Sequence, residues 1–290
     1  MKRLVIALAL AFGTAPALAI DFGKIIDIGR QAVQQQANSK EFSQEDEIGL
    51  GQAATASFLG ASPLHPDAGL QRYVNRVGRW VALHSDRPDL PWTFSVIDTE
   101  TINAFALPGG SIIVSSGLLK RLNSESELAG VLAHEIAHVV KKHQLTAIQS
   151  SMSADFWKGV GTSVASDYVR PGGGAVGSAV GSAVKPFVLD AAGNLIKDGF
   201  FLRPLDRGLE TEADQLAIVL ATRSGYDPYG LVGALQMLAQ YKGGGDAASI
   251  FSTHPSATDR LSDLEKFMPS VETYAKHPQL LEARFKQNVK

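Results

Sequence analysis

Cysteine is absent from all 290 residues. Its absence excludes disulfides, a thiol nucleophile, a Cys-ligated metal and a lipid on an N-terminal Cys, so any metal must be held by His and carboxylate groups. Long apolar runs are missing too: the strongest, Leu4 to Phe12, has about nine residues where a membrane-spanning helix needs about 20. Basic runs are equally scarce. Lys and Arg number 27 against 29 Asp and Glu, and no stretch could follow a phosphate backbone, which excludes nucleic acid as a partner. What remains, 45% apolar and 19% charged, is the balance of a globular chain with a sizeable core.

Met1-Lys2-Arg3, the apolar stretch and Ala17-Leu18-Ala19 follow the order of a secretory signal peptide. Cleavage is expected after Ala19, leaving residues 20–290 as a soluble, exported and unlipidated chain. Residues 20–41 space Phe22, Ile25, Ile28 and Val33 for one helical face, expected to dock on the body, with peripheral membrane contact as the alternative. Phe42 to Val81 reads as helical, with Glu45, Asp46 and Glu47 at its start. Trp92 to Ile97 alternates, Ile112 to Val114 is β-branched, and Pro108-Gly109-Gly110 is a turn between extended pieces. Ser124 and Glu127 form a capping box that opens a helix running to about His143. Residues 144–208 form an insertion whose Gly/Ala-rich part, 171–184, is expected to be a loop or a closely packed helix. Further helices are expected from about Leu209 to Ser224, after Asp227-Pro228, and from about Thr258 to Phe267. With no linker in residues 20–290, the expectation is a single α+β domain, mainly helical, with a small antiparallel or mixed sheet and the helix through His134 at its centre.

Between Leu128 and Val140 the only ionisable side chains are His134, Glu135 and His138. So apolar a helix is buried all round, and two imidazoles and a carboxylate inside it cost several kcal/mol unless a cation satisfies them. His134 and His138 share a face one turn apart and can grip one ion. Glu135, displaced by about 100°, lies beside the ion, where a general base is needed. A catalytic site of this kind needs a third protein ligand. Lys141 and Gln144 stand where a metzincin would have Gly and its third His, and His143, about 140° round an extended helix from His138, cannot join the same face. No Glu occurs between Glu135 and Glu210, so the search lands on Glu210, with Asp214 on the same face orienting a ligand imidazole and Glu212 pointing nearly opposite.

Four blocks together resemble a known family: Asn103-Ala104-Phe105-Ala106-Leu107-Pro108-Gly109-Gly110, Leu132 to His138, Arg207-Gly208-Leu209-Glu210-Thr211-Glu212-Ala213-Asp214, and Thr253-His254-Pro255 with Arg260. Their order is similar to that of the gluzincin metallopeptidases of the BepA, LoiP and HtpX group, relatives of the CAAX prenyl endopeptidases. The resemblance implies a zincin-type domain with one zinc ion, held by His134, His138 and Glu210, and Glu135 as catalytic base. It also implies a substrate strand laid beside Asn103, Ala104, Phe105 and Ala106. His254 would lie near the metal, supporting the oxyanion or closing the site as a fourth ligand, with Arg207 and Arg260 as further site residues. Asp206 departs from the Ser often found there. No helical-repeat domain follows before Lys290, so a compact member without that partner platform is expected. The implied function is a periplasmic endopeptidase for unfolded or misassembled envelope proteins, including outer-membrane proteins. The competing readings are a zinc-containing chaperone of the same fold held shut by His254, and a purely structural metal site, which would leave Glu135 idle.

Overall fold

The computed structural model describes residues 43–148, 205–240, 254, 256–272 and 281–289. The chain divides into Met1–Lys40 and a compact unit, Glu41–Lys290, to which every described residue belongs. The expected signal peptide, the 20–41 segment and the Gly/Ala-rich stretch 171–184 lie outside the described residues.

In chain order the elements are α1 (Gln44–Ala61), α2 (Ala68–Ala82), β1 (Thr93–Ile97), β2 (Ala104–Leu107), a 3-10 turn (Pro108–Gly110), β3 (Ser111–Ser115), α3 (Ser116–Leu119), α4 (Glu125–Val140), α5 (Arg207–Arg223), α6 (Tyr229–Gln240), α7 (Ala257–Phe267), α8 (Pro269–Glu272) and α9 (Glu282–Val289). The fold is therefore mainly helical with one small sheet. The helical stretch expected from Phe42 to Val81 is two helices. Pro63 and Pro66 interrupt it, and the Asp67 side chain opens α2 by accepting from the Gly69 and Leu70 amides at 2.7 and 3.2 Å.

The sheet has the order β1-β3-β2, with β1 parallel and β2 antiparallel to β3. Alternation decides its faces. Phe94, Val96, Ala104, Ala106, Ile112 and Val114 enter the main core with α2 and α4, while Ile97, Leu107 and Ile113 join Ala54 of α1 on the other side. That leaves β2 as an edge strand with no strand on its outer side among the described residues.

Helix α4 begins at a cap in which Ser124 Oγ accepts from the Glu127 amide at 3.1 Å and Glu127 accepts in turn from the Asn123 amide at 2.7 Å. It is enclosed by the sheet on one side and by α5 and α6 on the other. Glycines permit that enclosure: a Cβ on Gly130 would meet the Leu231 amide nitrogen at 2.4 Å, and one on Gly230 the Ser126 carbonyl at 2.0 Å. The C-terminal end of α4 is tied to α1. Arg87 donates to both carboxylate oxygens of buried Glu47 at 2.9 and 2.7 Å and to the Val139 carbonyl at 3.1 Å, while Glu47 also accepts from the Gly109 amide at 3.2 Å. Gly109 sits at φ +75°, and a side chain there would press on Ile48.

At the other end of α4 lies a second buried carboxylate. Glu125 accepts from the Tyr73 and Tyr226 hydroxyls, each at 2.8 Å, and from Arg284 Nε at 2.6 Å and Nη2. Burial pushes its carboxyl up, but the Arg284, Tyr73 and Tyr226 donors outweigh this and hold it below the usual carboxylate range. Because the folded value lies below the unfolded one, this group's contribution is complete above the ordinary glutamate range and is lost as the pH falls through the folded value. Glu125→Gln is expected to cost about 2 kcal/mol near neutral pH. Below about pH 5 its stability should fall less steeply than that of the parent chain, as read by urea unfolding across a pH series.

Candidate metal centre

Helix α4 presents His134 and His138 on one face, with their Nε2 atoms 3.0 Å apart. Helix α5 brings Glu210 against them: Oε2 lies 3.5 Å from His134 Nε2, and Oε1 3.5 Å from His138 Nε2. His254, six residues before Arg260 of α7, adds its Nδ1 at 2.9 Å from Glu210 Oε2 and 3.5 Å from His134 Nε2. Glu135 stays out of this group, with Oε1 3.7 Å from His254 Nε2. It is only 3% exposed, and it faces a cavity of about 30 Å³ shared with His134, His254, Ala104, Val131 and Leu235.

The electrostatics of the group are lopsided. Burial alone pushes the Glu210 carboxyl up, but the His254 and His134 imidazoles hold it well below the usual carboxylate range. Burial and the Arg260 charge resist protonation of His134, yet Asp214 and Glu210 carry it up to about 9. His138, desolvated and beside that imidazolium, is held well below the ordinary imidazole range.

The groups behind the donors are equally ordered. Asp214 Oδ1 lies 2.8 Å from His134 Nδ1, and Arg260 grips the same carboxylate with Nε at 2.9 Å and Nη2 at 2.6 Å. Arg207 is elsewhere: it is exposed and pairs with Asp259 at 2.9 Å. Of the four residues expected along a substrate strand, Ala104 lines the cavity, Ala106 enters the core, Phe105 turns toward Phe58 of α1, and Asn103 is buried with its side-chain oxygen on the Ala104 amide.

One reading of the helix needs correction. α4 ends at Val140 rather than near His143: Lys142 adopts a left-handed φ of 56°, and a separate helical stretch starts at His143. His143 lies outside the donor group, as the helix angle implied, but it meets the far side of His138 with Nδ1 to Nδ1 at 2.9 Å and reaches Glu212 Oε2 with Nε2 at 3.3 Å. Spacing on a regular helix gave no signal for this pair.

Glu210 Oε1 is buried and has no hydrogen-bond partner. A carboxylate oxygen left so in an apolar interior costs several kcal/mol, and a cation removes that cost directly. His134, His138, Glu210 and His254 each offer one donor atom, all within 4.8 Å of one another. Most of these atoms lie 2.9–3.5 Å apart, close to the roughly 3.3 Å edges of a tetrahedron with metal bonds of about 2.0–2.1 Å. The residues therefore fit a small divalent ion. An ion present at about a thousandfold over its Kd should stabilise the chain by about 4 kcal/mol and raise the unfolding midpoint by roughly 10 °C, reversibly on adding chelator. No shift in a thermal melt would dismiss the cluster as an ion site.

Comparison with known proteins agrees with this geometry. The model of peptidase family M48 matches residues 68–268, from the start of α2 to just past α7. The chain is 31% identical over 222 residues to the beta-barrel assembly-enhancing protease of Yersinia pestis, covering 76% of this chain and 43% of that protein. It is 29% identical over 252 residues to the protein of the same name from Escherichia coli K12, covering 86% and 48%. It is also 32% identical over 204 residues to the mitochondrial metalloendopeptidase OMA1 of Schizosaccharomyces pombe, covering 69% and 53%. The chain thus spans about half the length of the curated relatives it matches. The match over most of the chain and the buried donors it encloses lead to one conclusion: this protein belongs to peptidase family M48.

Proposed function

We propose that the chain is a zinc-dependent endopeptidase, with His134, His138 and Glu210 holding the ion and Glu135 as general base. The observation that carries this reading is the placement of Glu135: buried on the same helix as the imidazole donors, excluded from the donor group, and facing the adjacent cavity. Three imidazoles and one carboxylate suit zinc better than harder ions that prefer all-oxygen sites. When bound, the ion supplies the Lewis acidity that peptide hydrolysis needs.

The residues divide the remaining work. Asp214, itself gripped by Arg260, accepts a hydrogen bond from His134 Nδ1–H, which would leave the Nε2 lone pair free to hold the ion. Glu135 takes a proton from the attacking water as its oxygen bonds to the peptide carbonyl carbon, then delivers that proton to the amine nitrogen as the carbon–nitrogen bond breaks. An extended polypeptide pairing with the outer edge of β2 would run past Ala104 and therefore past Glu135. This mode reads main chain rather than side chains and favours unfolded or misassembled polypeptides as substrates. The names of the Yersinia and Escherichia relatives point to outer-membrane barrel proteins among them. The sequence start supports a periplasmic location, and among the described residues no helix is long and apolar enough to cross a membrane.

His254 favours a second reading, a self-inhibited form of the same site. With Nδ1 on Glu210 and Nε2 toward Glu135, its ring bridges metal ligand and base and must move before substrate enters.

Glu135→Gln is expected to keep zinc while cleavage of an unfolded protein falls about 10²–10⁴-fold. Undiminished cleavage would end the peptidase assignment. His254→Ala should raise the cleavage rate at unchanged zinc content. A fall would assign His254 instead to support of the reacting carbonyl.

A further inference from the structure

The two helix-borne imidazoles are backed differently. Behind His134 stands a carboxylate, Asp214; behind His138 stands a second imidazole, His143, whose own far side meets a carboxylate, Glu212. We infer that His143 and Glu212 are positioning residues for His138, fixing its tautomer and ring orientation for the ion. This rests on the metal-centre reading of His138.

The geometry and the metal-centre reading together assign each proton. The Nδ1 atoms of His138 and His143 are 2.9 Å apart, so one must donate and the other accept. If His138 Nε2 faces the ion, its proton is on Nδ1 and it is the donor. His143 Nδ1 then keeps its lone pair, its proton moves to Nε2, and that N–H points to Glu212 Oε2 at 3.3 Å. Each partner in the chain from His138 to Glu212 thus requires the next. Lys141 holds the outer end, its Nζ 2.7 Å from Glu212 Oε1.

The backbone is shaped for the same purpose. Lys142 takes the left-handed conformation, uncommon for a non-glycine residue, at the turn that separates α4 from His143 and its contact with His138. His143 is buried, while Glu212 is nearly half exposed, so the chain of contacts runs from the surface to the ligand. The three acids in Glu210-Thr211-Glu212-Ala213-Asp214 then act on one centre: the first as donor, the third through direct contact with His134, and the second through His143.

The test uses the full chain with zinc alone and cobalt(II) alone, measuring affinity by competition with a chromophoric chelator and the visible spectrum of the cobalt form. His143→Leu should weaken zinc binding about 10–100-fold and shift the cobalt spectrum. His143→Asn, whose Oδ1 can take the place of the Nδ1 lone pair, should restore both to near the parent values. Glu212→Leu, at a half-exposed position, should weaken zinc by a smaller factor without unfolding the chain, which keeps the inference testable if His143→Leu misfolds. Unchanged affinity and spectrum in His143→Leu would overturn the inference. So would an Asn variant as weak as the Leu variant, because the loss would then be one of packing. A parent chain that binds neither ion would instead overturn the metal-centre reading, and this assignment with it.

Discussion

The Glu210 carboxylate lies 3.5 Å from the Nε2 atoms of both His134 and His138, with one of its oxygens buried and unpartnered. A negative charge enclosed in this way is stable only if positive charge is supplied within the same enclosure. The surrounding structure is arranged to make that supply specific. α4 must be wholly enclosed for the imidazoles to be dry, which is why Gly130 and Gly230 let α6 approach to touching distance. Charged groups also anchor both ends of the helix: Glu125 with Arg284 and two tyrosines at the first, and Arg87 bridging Val139 and Glu47 at the second.

The same enclosure separates the tasks of neighbouring side chains. Residues 134 and 135 are adjacent in sequence, yet one joins the donor group and the other faces the cavity, because about 100° of helix rotation lies between them. His254 arrives from a different segment and approaches both, with Nδ1 3.5 Å from His134 Nε2 and Nε2 3.7 Å from Glu135 Oε1. Arg260, on the helix that follows His254, reaches Asp214 and thereby His134.

Much of the fold was legible because its signals are local. The Ser124 cap, the stop at Gly225 with φ +85°, the alternation in β1, the β-branched run of β3, and the start of the last long helix near Thr258 all depend on neighbouring residues. Local signals failed where the backbone left regular geometry or where pairing was distant. The helix expected through Val81 is broken by prolines, and Glu47, read as a helix-start acid, is a buried partner of Arg87, 40 residues away. Strand β2 has too short and too alanine-rich a sequence to announce itself, and only its antiparallel pairing with β3 defines it. The residues of the candidate site were nameable because metal chemistry restricts donor types and helix periodicity restricts their spacing.

By itself, then, the sequence determined that the site would be cysteine-free, helix-borne and built on His134, Glu135 and His138, since those are the only ionisable side chains in an otherwise apolar helix. Only the tertiary structure decided what surrounds them. Glu210 and His254, although named from residue type and family resemblance, lie 72 and more residues beyond His138, and no periodicity reports their contacts across that distance. His143 stays outside the donor group, as its angle on the helix implied, but its contact with His138 was hidden for a smaller reason of the same kind. One residue, Lys142, turned to a positive φ, and an angle extrapolated along an ideal helix ceased to describe where the next imidazole lay.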